Sequence, residues 1–125
     1  MHRRNTVEEL KLTPLNYGVE IDIRSSIDNL FISHDPYKDG EDFEEWIKYY
    51  NHGTLILNVK EEGLEKRILK ILLKNNIESF FFLDLSFPFL IKTAKSGENR
   101  LAVRVSEYES IETAFLLNRM VRWIW

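Results

Sequence analysis

The 125-residue chain contains no cysteine. Disulfides, zinc-thiolate sites and a thiol nucleophile are thereby excluded, and the absence favours a reducing, cytoplasmic setting. An excess of positive charge is missing too: 17 basic side chains stand against 20 acidic ones, for a formal charge of −3. With the lysines and arginines scattered among acids, no broad positive face is available to track a nucleic-acid backbone. There is also no long apolar run. The longest, residues 80–91, is interrupted by Asp84, Ser86 and Pro88, and it falls short of the roughly 20 residues needed to span a bilayer. The basic start Met1-His2-Arg3-Arg4 is followed by Asn5-Thr6-Val7-Glu8-Glu9, where a secretion signal would need apolar residues. The expectation is a soluble chain without a membrane span, and no segment repeats at a fixed period.

The apolar content is ample. At 44% hydrophobic and 13% aromatic, a chain of this size can bury roughly two-thirds of its unfolded surface in one domain. Runs of β-branched and aromatic residues alternate with helical patterns, which predicts repeated β-α units around a mostly parallel sheet. Residues 19–24 alternate strictly, with Val19, Ile21 and Ile23 on one face and Glu20, Asp22 and Arg24 on the other. Further strands are expected at residues 30–33, 54–60, 79–85, 101–105 and 121–125. The continuous run Leu55-Ile56-Leu57 suits a parallel strand covered on both faces.

Helices are expected between the strands. Phe43, Trp46, Ile47 and Tyr50 fall at i, i+3, i+4 and i+7 behind a capping Asp42. Leu64, Ile68, Ile71 and Leu72 mark a second helix within residues 63–75. Pro88 opens a third that Gly97 closes. The capping-box spacing of Ser106 and Glu109 introduces a fourth over residues 111–118. The chain then ends on Trp123-Ile124-Trp125, which leaves aromatic surface without a covering helix. An exposed sheet edge of this kind predicts self-association as a homodimer.

Chemistry concentrates near the start. Glu20 and Asp22 leave one strand face about 6.6 Å apart at the backbone, close enough to share one cation. Two such carboxylates suit a hard, oxygen-preferring ion such as magnesium or calcium. His34-Asp35-Pro36 follows a short strand directly, where β/α proteins place functional loops. Histidine is the natural proton carrier near neutral pH. His52, in the turn Asn51-His52-Gly53, reads as a surface-loop residue.

The order of these elements, His2-Arg3 with Asn5-Thr6, then Glu20-Ile21-Asp22, then His34-Asp35, resembles the glycerophosphodiester phosphodiesterases and their relatives the phosphatidylinositol-specific phospholipases C. The resemblance implies an incomplete (β/α)8 TIM-barrel-like fold that hydrolyses a small phosphodiester with a divalent ion. It implies further that His2 and His34 act as general acid and base, that Arg3 holds the phosphate, and that Glu20 and Asp22 ligate the metal. Lys60, at the end of a later strand, would add positive charge.

Three features depart from the family pattern. Asn58-Val59-Lys60 stands where an E-x-K strand supplies a third acidic ligand, so Asn58 would offer one neutral oxygen. Arg4 replaces a glycine and would crowd the phosphate approach. The length is about half that of a typical 250-residue barrel. Two rivals follow: a non-catalytic module that binds a phosphorylated headgroup or its own partner through the same mouth, and a complete doubly wound domain. The second would carry helices on both faces of its sheet.

Overall fold

The computed structural model describes residues 1–125. Its elements in chain order are α1 (Val7–Lys11), β1 (Val19–Ser25), β2 (Leu30–Ile32), β3 (Glu41–Asp42), α2 (Phe43–Trp46), a 3-10 turn (Ile47–Tyr49), β4 (Leu55–Val59), α3 (Glu65–Lys74), β5 (Phe80–Leu83), α4 (Phe87–Lys95), β6 (Ala102–Val103), α5 (Ile111–Leu116) and β7 (Trp123–Ile124). The predicted strands and helices all recur near their expected places. The sheet is mixed α/β architecture, and it is open.

Five strands run in the order β3-β2-β1-β4-β5, and β6 pairs with β7 in a second ladder. A parallel bridge between Phe82 and Leu101, with Phe82 N–H donating to the Arg100 carbonyl at 2.8 Å, sets the second ladder beside the first. β1, β4 and β5 are therefore parallel neighbours, and β6 and β7 continue the series in chain order. β2 and β3 depart from the expected parallel pattern: β2 is antiparallel to β1, and β3 to β2. The cause is the tight turn in which Ser26 N–H donates to the Asn29 carbonyl. A connection that short can join only antiparallel strands, because a parallel crossover needs a dozen residues or more.

Every helix packs on one face of this sheet. Leu10 of α1, Phe43 and Trp46 of α2, Ile68 and Leu72 of α3, Leu90 of α4 and Ala114 of α5 join one core with Val19, Ile21, Ile23, Leu55, Leu57, Phe80 and Phe82. On the other face only Phe81, Leu83 and Ala102, with Ile56 against them, form a small separate cluster. Helices on one face alone do not fit the doubly wound alternative. They leave the face bearing Glu20 and Asp22 without a helical layer.

Some local expectations need correction. α1 has no counterpart in the sequence reading, although Thr6 and Glu9 form a full capping box around its first turn. The fourth helix is capped by Ser110, which accepts from Glu112 N–H, rather than by Ser106. Ser106 and Glu109 instead close a small antiparallel bridge, with the Ser106 hydroxyl donating to the Glu109 carboxylate. His52 is no simple surface residue. Its Nε2 lies 2.9 Å from the Thr13 carbonyl and its ring packs against Tyr50, which ties the β4 approach to the end of α1. No helix is long and apolar enough to cross a membrane.

Candidate active site

The strict alternation of β1 turns Glu20 and Asp22 to the helix-free face, and the parallel register with β4 sets Asn58 directly beside Asp22. The first residues run along the opposite edge of β1. Glu20 N–H donates to the Met1 carbonyl and Arg4 N–H to the Glu20 carbonyl, each at 2.9 Å. Where this segment gives way to β2, the Asn5 side chain fills the gap: its Oδ1 accepts from Asp22 N–H and its Nδ2 donates to Asp22 Oδ2 at 2.9 Å. His2 is thereby placed against Glu20, with Nδ1 in hydrogen-bond contact with Oε2.

Neither carboxylate faces bulk water, Glu20 being 6% exposed and Asp22 0%. Each has compensation. Asn58 Nδ2 donates to Glu20 Oε1 at 3.1 Å, which fixes the amide orientation and leaves Asn58 Oδ1 buried without a partner. Lys60 Nζ lies 3.1 Å from Asp22 Oδ1. That contact is an ion pair rather than an aligned hydrogen bond, since Oδ1 has no hydrogen-bond donor. Five of the residues singled out in the sequence thus meet on one face: His2, Glu20, Asp22, Asn58 and Lys60.

Two do not join them. His34 Nδ1 bonds to Asp35 Oδ1 at 2.8 Å and makes no hydrogen bond to the carboxylates of β1. Its backbone is nonetheless near, because the preceding residue, Ser33, donates its N–H to the Asp22 carbonyl. Arg3 is exposed in left-handed backbone, φ 52°, and makes no side-chain hydrogen bond or ion pair. Asp35 also accepts from Lys38 Nζ at 2.6 Å. That bond, with His34 adding to it, holds the Asp35 carboxyl down at about 2. A carboxyl depressed in this way contributes stability above its ordinary range near 3.8, and loses it as pH falls through about 2. A carbon-detected titration of Asp35 should find its midpoint well below that of free aspartate, and Lys38→Ala should return it toward the ordinary value.

Two further neighbours come from the last third of the chain. The closing tryptophans stay exposed, as expected, but each has a ring partner: the Trp123 ring stacks on Phe81 with centroids 4.8 Å apart, and Trp125 meets both Phe81 and His2. Arg104 pairs with Asp84, which adopts a left-handed φ of 58° at the end of β5. The pairing of these two residues, twenty positions apart, exists only through sheet register.

The donor set fits a hard divalent cation. Glu20 and Asp22 supply charged oxygens, and the unpartnered Asn58 Oδ1 supplies a neutral one. No three histidine, cysteine, aspartate or glutamate side chains meet closely enough to hold a metal, so a third protein oxygen would have to come from this amide. No family model, curated protein or solved structure matches this chain. The resemblance to phosphodiesterases therefore rests on the sequence motifs alone.

Proposed function

We propose that the helix-free face is the inner wall of a partial β/α-barrel phosphodiesterase, and that the chain hydrolyses a small phosphodiester with a magnesium or calcium ion. One observation carries the reading. Residues from three separate stretches form two neighbouring sets, His2–Glu20–Asn58 and Asp22–Lys60, set side by side by the β1–β4 register on a face that no helix covers. The strands β1, β4, β5, β6 and β7 adjoin in chain order with helices on one side only, which is the arrangement of an arc of such a barrel.

Chemical roles follow from position. His2 has its ring 73% exposed while bonded to a buried carboxylate, so it can orient on Glu20 and still pass a proton to or from a phosphoester oxygen. His34 supplies the second imidazole from the loop beside Asp22, after release from Asp35. Arg3 and Lys60 offer positive charge to the phosphate. Glu20, Asp22 and Asn58 Oδ1 would hold the ion, whose contribution is Lewis-acid stabilisation of charge on phosphoryl oxygens.

Hydrolysis of bis(p-nitrophenyl) phosphate with added magnesium, calcium or manganese tests this, with Glu20→Ala expected to abolish it. Binding of the ion has its own readout: millimolar magnesium or calcium should raise Tm in the native chain and not in Asp22→Ala. Absence of both turnover and an Asp22-dependent Tm shift would overturn the proposal. The clasp of His34 by Asp35 favours a second reading, a headgroup-binding module without turnover, which saturable binding without hydrolysis would support.

Self-association belongs to the same proposal. β7 pairs on one side only, with β6, and Trp123 and Ile124 remain partly exposed on it. Light scattering at tens of micromolar should report a dimer, and Ile124→Lys should return it to monomer. A native chain that stays monomeric removes this part of the reading.

A further inference from the structure

Between the segments that follow β4 and β5 lies a cavity of about 170 Å³, lined by Lys60, Glu61, Glu62, Glu65, Asp84 and Ser86 among others. None of His2, Glu20, Asp22 or Asn58 lines it. Its walls are acidic, with four carboxylates against the single ammonium of Lys60. Part of that charge is matched within the protein. Asp84 pairs with Arg104, Glu61 accepts from the Ser25 N–H and hydroxyl with Arg24 Nη1 at 3.5 Å, and Lys60 Nζ is turned to Asp22. The side chains of Glu62 and Glu65 have neither an ion pair nor a hydrogen bond.

Glu65 decides what the cavity suits. It opens α3, is only 6% exposed, and its Oε1 is buried without a partner. A buried carboxylate that has neither a counter-charge nor a donor carries a large desolvation cost, which a bound cation with N–H groups would remove. Ser86 adds a second free group at the start of the neighbouring helix. It stands at the N-cap of α4, yet its hydroxyl caps no backbone N–H, and Oγ is buried without a partner.

We infer that this cavity is a binding site for a primary alkylammonium group, separate from the proposed reaction centre and independent of the phosphodiester reading. Glu65 and Ser86 come from the ends of two different helices, so their oxygens suit a compact ammonium with three divergent donors. Glu62, exposed at the rim, adds negative charge. The methylene stem behind the charge has apolar surface to lie on. Leu85 and Phe89 line the cavity, and Leu85 leads into a neighbouring one of about 420 Å³ that contains Phe87, Leu90 and Tyr108. A quaternary ammonium has no N–H to give to Oε1 or Oγ. A divalent metal needs several oxygens converging on one point, and no three acidic or histidine side chains do so here. The same ammonium chemistry is carried by a free diamine and by a lysine side chain of another protein.

Isothermal titration with putrescine, Nα-acetyl-lysine amide and tetramethylammonium tests this and separates the two sources. At least one of the first two should bind saturably with a Kd in about the millimolar range or below, and the tighter of them identifies the source. Tetramethylammonium should bind at least about tenfold more weakly, and Glu65→Gln should weaken the amine about tenfold. Ser86→Ala, which leaves the charge in place, should weaken it in the same direction. Without ligand, Glu65→Gln should melt no lower than the native chain, because it removes an uncompensated charge at constant shape. A variant that melts well below it, or fails to fold, would show that the carboxylate already has a partner within the protein, and would overturn the inference. So would no saturable binding of either amine, affinity unchanged in both variants, equal affinity for tetramethylammonium, or calcium binding that depends on Glu65. Glu65 and Ser86 bond to no residue of the reaction centre, so these outcomes hold whether or not the chain hydrolyses a phosphodiester.

Discussion

His2→Ala is expected to lower kcat for bis(p-nitrophenyl) phosphate by about 10²–10⁴-fold, the range for loss of a general acid or base. The imidazole is the only titratable group bonded to Glu20, and its exposure lets it reach a substrate that the buried carboxylate cannot. The variant should also lose some stability, because buried Glu20 keeps only the Asn58 amide, so rates are compared at a temperature where melting curves show both proteins folded. His34→Ala should give a loss of similar size if the loop delivers the second imidazole. A wild-type rate in both variants would show that no imidazole moves the proton.

Lys60→Met should destabilise the fold by about 3 kcal/mol, the lower end of the cost of removing one partner from a buried pair. Asp22 has no exposed surface, and apart from Lys60 its side chain keeps only the Asn5 amide. Urea unfolding provides the measurement. The double variant Asp22→Asn with Lys60→Met should recover most of the loss, because it removes the stranded charge along with its partner. If Lys60→Met does not fold at all, a folded double variant still identifies the cause. A single variant as stable as the native chain would show that water or Asn5 already satisfies Asp22.

Much of the architecture was legible where a period could be counted. The alternation from Val19 to Ile23 set both the strand and its acidic face, and Ile68, Ile71 and Leu72 set the buried side of α3. α1 was missed because five residues are too few for a helical period, although Thr6 and Glu9 carried the capping signal. The direction of β2 was missed because an apolar strand of three residues reads the same in either sense. Only the closeness of Ser26 to Asn29 decides it.

The site divides in the same way. His2, Glu20, Asp22, Asn58 and Lys60 could be selected from residue type and spacing, because strand alternation fixes which side chains share a face. The assignment of Asn58 to Glu20 and Lys60 to Asp22, the departure of His34 toward Asp35, and the pairing of Arg104 with Asp84 could not. The sequence by itself determined the elements and the face each residue occupies, since both follow from local periodicity and burial. Tertiary structure alone decided strand direction, register and the partners of each charge, since these depend on which distant segments lie side by side once the sheet has formed.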